Sequence, residues 1–276
     1  MIIKYAFETS GEKLLYHVQT ALLQNVDWNR LSTGLLACGR AEELTKLFRE
    51  IAVVNTTCRL VQAAKSIRID RDGNNRLTTD PSYLSDLKRF LRELMLVPDS
   101  ALESTIRLAV SAAQAAASSI SDRTRKQMSQ EASNRNTPCY LCDCELDYSL
   151  QDKIRKFDLE HIWPKSFGGD SVPENLLPVC HGCNQQKRDL ATWGMAGVQS
   201  LILGLSPNEE ALKLRGEYSF ALHYYAARRL LENYPQKSLK WAMLRLGPRQ
   251  KFVRVIDPNH IADYFNLENH NPSVRL

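Results

Sequence analysis

The sequence predicts a mostly helical protein carrying a small α+β insert. Three observations carry that prediction. Apolar residues recur at helical spacing over long stretches on both sides of the middle of the chain. From about residue 134 the character changes to cysteines, turns, aspartates and short apolar runs, and helical periodicity returns beyond Gly197. Within that middle segment lie two Cys-x-x-Cys pairs, Cys139/Cys142 and Cys180/Cys183, which can cross-link a module too small for a large core. The expected organisation is a helical region 1–133, a compact module 134–196 and a helical, basic region 197–276.

Along the chain, Ile2, Ile3, Tyr5 and Phe7 suggest a short strand. Leu44, Leu47, Phe48, Ile51, Val54 and Val61 then mark a helix over about 40–68. The run DRDGNNR at 70–76 reads as a loop, and its likeness to the start of a calcium loop lacks the closing glutamate. A helix should start at Pro81, with Asp80 as its cap and Leu84, Leu87 and Leu91 on one side. Another should open at Pro98-Asp99 and run through the alanine-rich stretch toward Glu131. After the module, Asn208 is placed to cap a segment containing Leu212 and Leu214, and a further helix is expected around 218–234. Gly247-Pro248 is a break, and KFVRVI at 251–256 reads as a short strand.

The 276 residues suffice for a substantial core, and 43% hydrophobic with 8% aromatic content excludes wholesale disorder. The longest apolar stretches, such as 108–117 and 196–205, are too short or too polar to span a bilayer, so no membrane partner is expected. The opening residues lack a continuous apolar core and a small-residue cleavage site, so a cytoplasmic location is expected. There disulfides are disfavoured, and thiols serve metals or cores. The 37 residues between Cys142 and Cys180 make a metal cross-link physically useful, and four thiolates in two tight turns suit structural Zn²⁺. Cys144 is left outside the zinc shell, while His181 faces either substrate or water. Cys38 and Cys58 stand among apolar residues as core fillers.

Between the pairs runs DLEHIWPKSFGGDSVPENLLPVC, followed by HGCNQQK up to residue 187. An acidic residue before histidine, a proline three residues on, a Gly-Gly loop, Asn-Leu before the second pair and Cys-Asn-x-x-Lys together resemble the HNH nuclease family, with its ββα-metal fold. The resemblance covers about 138–189. It implies a metal-dependent endonuclease in which His161 is the water-activating base. Glu160 and Asn184 would hold a catalytic Mg²⁺ or Mn²⁺, with Asp158 as the reserve ligand. Asn175 would orient the loop bearing the histidine. Glu160 departs from the commoner aspartate, and its extra methylene puts the carboxylate's position in doubt. The resemblance favours DNA as substrate, with structured RNA, transfer RNA included, as the alternative. It also suggests a bacterial or phage-defence effector working beside an ATPase or other regulatory subunit. The reading from a different class is a catalytically silent zinc-bearing adaptor that binds nucleic acid or protein.

The formal charge of +5 permits a nucleic-acid partner, yet residues 139–189 carry six Lys/Arg against nine Asp/Glu. A positive surface must come from elsewhere. Lys187, three residues after Asn184, is one phosphate contact to expect. Lys240, Arg245, Arg249, Lys251 and Arg254 are the others, in a stretch free of acidic residues between Glu232 and Asp257. A solvated helical face is the competing reading of that run.

Overall fold

The computed structural model describes residues 4–28, 30, 41–70, 72–149, 151–190, 219–220, 223–224 and 226–248. Expectations for Ile2, Ile3 and Cys38, for the helix after Asn208 and the strand at 251–256, and for Arg249, Lys251 and Arg254, lie outside the described residues, as do the side chains of Leu44 and Leu47. Within them the protein is mostly helical, with one two-stranded antiparallel sheet in the middle segment.

Helix α1 (Ser10–His17) starts at a capping box. The Thr9 side chain accepts from Glu12 N, and the Glu12 carboxylate accepts from Thr9 N at 2.9 Å. It continues as a π-helical turn, Val18–Leu22. Residues 4–8 form no strand, contrary to expectation. Their aromatic content serves the core instead: Tyr5 is buried and donates its hydroxyl to Glu12 Oε1 at 2.8 Å. The segment's backbone bond to another part of the chain runs from Ala6 N to Lys237 O at 3.2 Å.

Helix α2 (Ala41–Ile67) buries Val53, Val54, Leu60, Val61 and Ala64. Helix α3 (Pro81–Glu93) has Asp80 accepting from Ser82 N as its cap and buries Leu87 and Leu91, while Leu84 packs against the core. Helix α4 (Asp99–Ala117) is the one on which α1, α2 and α3 all pack. Its buried alanines, 109, 112, 113 and 116 among them, let those neighbours approach closely. The long helix expected to reach Glu131 is broken. It ends at Ser118, whose ψ of 152° is extended, and α5 (Asp122–Asn134) restarts at Ser121, whose side chain accepts from Thr124 N. Three serines in four residues offer the backbone competing local bonds, which outweigh the propensity of the alanines before them.

The middle segment supplies β1 (Phe157–His161), β2 (Leu176–Cys180) and α6 (His181–Lys187). The strands pair antiparallel with Phe157 opposite Cys180 and His161 opposite Leu176. Leu159, Leu176, Leu177 and Val179 are buried, and α6 packs over the pair. Beyond it, helical residues between 219 and 233 and α7 (Leu239–Leu246) return to the same core, and α7 ends at Gly247.

The hairpin loop is seated on the helices by small residues. Gly11 N donates to Gly168 O at 2.8 Å, and a Cβ on Gly11 would lie 2.2 Å from Phe167 O and from Trp163 Nε1. Gly168 has φ +85°, and a Cβ there would lie 2.7 Å from Ala112 Cβ. Two constraints therefore coincide at Gly168, a left-handed backbone and a neighbour in the way.

Gly73 provides the control, since it has φ +84° and nothing within 4 Å of an added Cβ. Gly73→Ala should cost only the backbone strain, about 1–2 kcal/mol. Gly168→Ala should cost about 2–5 kcal/mol, because overpacking adds to that strain. Urea unfolding of the two variants beside the parent protein measures the difference, and equal losses would mean that the loop is not seated on α4.

Candidate active site

The first cysteine pair lies in a tight turn. Asp143 N donates to Cys139 O at 2.8 Å, and Cys139 N donates to Cys144 O at 2.9 Å. Tyr140 N donates to Pro178 O at 3.2 Å, tying the turn to β2. The second pair spans the junction of β2 and α6: Cys180 is the N-cap, and its Sγ accepts from Cys183 N at 3.4 Å. The sulfurs of Cys139, Cys142, Cys180 and Cys183 all lie within 4.8 Å of one another and form a group that could hold a metal ion. The Cys142 and Cys180 sulfurs are 3.7 Å apart. A tetrahedron with Zn–S arms of about 2.3 Å has edges of about 3.8 Å, so the donor set fits such an ion. The hydrogen bond from the Cys183 thiol holds Cys139 down at about 5. That same contact pushes Cys183 up, and burial does the same to Cys180. Thiolates packed this closely repel one another, and a bound cation would offset that repulsion. Cys144 is not in the cluster, and Cys58 is a half-buried core thiol that burial pushes up to about 12.

The hairpin positions the remaining groups. Asn175 is buried where the loop rejoins β2. Its Oδ1 accepts from Trp163 N at 2.8 Å, and its Nδ2 donates to Trp163 O and Asp170 O, each at 3.0 Å. Its own carbonyl accepts from Ile162 N at 2.9 Å. The side chain thus binds loop backbone and offers nothing to a substrate. Trp163, fully buried, donates Nε1 to Phe167 O at 2.9 Å. Asp170, half-buried, accepts from Ser10 N at 2.6 Å, at the start of α1.

Glu160, His161 and Asn184 line one pocket of about 260 Å³, together with Leu159, Pro164, Lys165, Gln185, Arg188 and Asp189. His161 Nε2 lies 3.0 Å from Ser171 Oγ. Burial, reinforced by the charges of Lys187, Lys165 and Arg125, lowers its pKa to about 4, so the ring is neutral at pH 7 and able to take a proton. Glu160 is buried, and one of its oxygens, Oε1, receives Lys187 Nζ in a short ion pair. Burial raises the Glu160 pKa, and the Lys187 ammonium opposes that rise. Among the described residues no protein donor reaches Glu160 Oε2 or Asn184 Oδ1. Two oxygen donors on one pocket wall, beside a neutral imidazole, fit a hard divalent ion.

Asp158 Oδ2 accepts from Asn184 Nδ2 at 2.7 Å and lies 3.5 Å from His181 Nδ1. Lys187 is buried and also donates to the His161 carbonyl at 3.2 Å. Lys240 is partly buried, burial lowers its pKa, and its Nζ donates to Pro173 O at 2.6 Å. Arg245 sits on α7. Sequence reasoning missed Ser171 beside His161, Lys165 and Arg188 on the pocket wall, and Arg125 on α5, whose guanidinium lies 3.8 Å from Asp158. The basic run RTRK at 123–126 was the available signal for the last of these.

Residues 139–191 match a protein-family model described as HNH endonuclease. No curated protein and no solved structure matches the chain. The matched segment contains both cysteine pairs, both strands and α6, and it supports a nuclease-type function in general terms. Among the described residues no helix is long and apolar enough to cross a membrane.

Asn175→Ala should destabilise the protein by about 3 kcal/mol, since it leaves one buried N–H and two carbonyls without partners. Asn175→Asp keeps the acceptor but sets a buried carboxylate against two carbonyl oxygens, so at neutral pH it should cost at least as much as alanine. Urea denaturation ranks the three, and a loss below about 1 kcal/mol for the alanine variant would show that water replaces the clamp.

Proposed function

We propose that the chain is a metal-dependent endonuclease that hydrolyses phosphodiester bonds in nucleic acid, with DNA as the first choice of substrate. The observation that carries this reading is the convergence of His161, Glu160 and Asn184 on one pocket beside a four-sulfur cluster. An adaptor needs the cluster but has no use for a neutral imidazole beside two oxygens that no protein donor engages among the described residues.

His161 accepts the proton of the attacking water. A base held this low takes protons weakly, so it works only against an acidified water. A divalent ion on Glu160 and Asn184 would supply that acidification and offset charge on the phosphate oxygens. Ser171 holds the imidazole from its Nε2 side, and in the tautomer where Nε2–H donates to Ser171 Oγ the Nδ1 lone pair is the one left to take the proton. Lys165 and Arg188 on the pocket wall, with Arg125 close by, give a phosphate backbone a cationic rim that the net-acidic module otherwise lacks. Cys139, Cys142, Cys180 and Cys183 would hold Zn²⁺ as four thiolate ligands, where it would brace the fold and not activate water. The preference for DNA, the role as a defence effector and the ATPase or other regulatory partner rest on the resemblance of 138–189 to HNH nucleases.

The test is a screen of the purified full chain with Mg²⁺ or Mn²⁺ against plasmid, linear and single-stranded DNA, total RNA and transfer RNA. DNA nicking or cutting is expected, and His161→Ala should lower the rate by about 10²–10⁴-fold while keeping its zinc. Full activity in that variant would remove His161 as the base, and cleavage of RNA alone would reverse the substrate choice. The single-turnover rate should hold its base-form plateau from pH 8 down to about pH 5, because the imidazole protonates near 4 rather than near 6.5. An acid limb centred on 6.5 would contradict that environment. The same lowered pKa means that the unfolded chain binds a proton before the folded one does. This group's effect therefore reduces stability as pH falls from 6.5 toward 4.

Cys180→Ser should release the bound zinc, measured by elemental analysis, and lower the melting temperature. Cys144→Ser should retain it. Equal zinc loss in both would put Cys144 inside the shell.

A further inference from the structure

The amide of Asn184 can reach a hard cation only through oxygen, and a free carboxamide has two nearly isosteric orientations, one of which presents NH₂ instead. Asp158 removes that ambiguity. A carboxylate has no donor, so the amide end that meets Asp158 Oδ2 at 2.7 Å must be the nitrogen. Oδ1 is then left as the free terminus, and Asn184 lines the pocket.

We infer that Asp158 is a positioning residue that aims Asn184 Oδ1 at the divalent ion, not a ligand in its own right; the inference rests on the nuclease reading above. Its own surroundings agree. Asp158 Oδ2 is taken up by Asn184 Nδ2, with His181 Nδ1 at 3.5 Å, while Oδ1 faces the Arg125 guanidinium at 3.8 Å and the backbone N of Leu159 at 2.9 Å. Both its oxygens are thus engaged, and it is not among the residues lining the pocket. Glu160 shows the matching arrangement, with Lys187 on Oε1 and Oε2 without a protein donor among the described residues. One oxygen of each ligand is oriented by a fixed outer contact on the same residue. Such outer contacts typically change metal affinity by about 10–100-fold.

The test is Mn²⁺ titration of the full, zinc-loaded chain by calorimetry, with zinc content and melting temperature as folding controls. Asp158→Asn should weaken Mn²⁺ binding by about tenfold or more. In the Asn184→Asp background both termini of the side chain are oxygens, so orientation no longer matters. There Asp158→Asn should weaken binding little or not at all. A role for Asp158 as a ligand, or as general negative charge, predicts the same loss in both backgrounds, and that result would overturn the inference. So would Asp158→Asn binding like the parent. A parent protein that binds no Mn²⁺ beyond its zinc would sink the divalent-ion site of the nuclease reading itself, and this inference with it. Should Asp158→Asn fail to fold, a Mn²⁺-soaked crystal of the parent decides. The ion on Asn184 Oδ1, with Nδ2 still on Asp158, supports the inference. An ion ligated by Asp158 directly, or by neither residue, refutes it.

Discussion

The loop that leaves β1 at residue 162 and returns at 175 buries backbone groups that no strand partners, and Asn175 is what satisfies them. It bonds N–H and carbonyl of Trp163 and the carbonyl of Asp170 with one side chain. A buried polar group left alone costs about 1–3 kcal/mol, so without this clamp the loop would not hold its present course through the core. Much depends on that course. It carries Trp163 into the centre of the protein and puts Gly168 against Gly11 and Ala112. It also brings Ser171 within hydrogen-bond distance of His161. Asn175 and His161 are fourteen residues apart in sequence but belong to one structural unit. The helices reach His161 through that unit: α1 meets the loop at Ser10 and Gly11, and α4 at Ala112.

Electrostatics in the pocket are arranged around a ring that stays neutral. Three cations, Lys187, Lys165 and Arg125, act on His161 in the same direction as burial. Two of these cations have acidic neighbours, and the third stands on the pocket wall. Lys187 is committed to Glu160, Arg125 lies beside Asp158, and Lys165 stands on the wall of the pocket. A module with more acidic than basic residues can still carry a local cluster of cations, because net charge averages over positions far from the pocket.

Local signals in the sequence were read where local chemistry decides. Asp80 before Pro81 is a cap followed by a residue pre-set for a helix, and the structure starts α3 there. The paired cysteines marked the sulfur cluster, and the order of motifs between them carried the resemblance that implied a ββα module, which the structure has there. Where two local preferences compete, the reading failed. The alanines before Ser118 favour continuation and the serines favour a stop, and propensity alone does not rank them. Tyr5 and Phe7 look like strand residues because aromatic side chains suit pleated sheets, yet Tyr5 is used as a buried donor to Glu12. Contacts made across long separations left no trace in one sequence. Nothing at Gly11 announces Phe167 and Trp163, and nothing at Arg125 announces Asp158. The module's cysteine cluster and its place in the chain were therefore legible, while its seating on the helices was not.

Helix α6 ties these strands of argument together. Its seven residues hold Cys183, Asn184 and Lys187. Successive residues are turned by about 100°, so Asn184 and Lys187, three apart, share a face while Cys183 points to the sulfur cluster. A register error of one residue would withdraw the sulfur, the amide oxygen and the ammonium at the same time. The sulfur cluster is the contact that prevents such slippage, because its donors come from two separate turns and must meet within a few ångströms. Glu160 makes the need for this precision plain. Its longer side chain has an extra rotatable bond, and only a fixed Lys187 can hold one of its oxygens and so set the direction of the other. A glutamate in place of an aspartate is thus compatible with an ordered ion site provided that α6 cannot rotate. Its rotation is governed by sulfur chemistry at the far end of the same short helix.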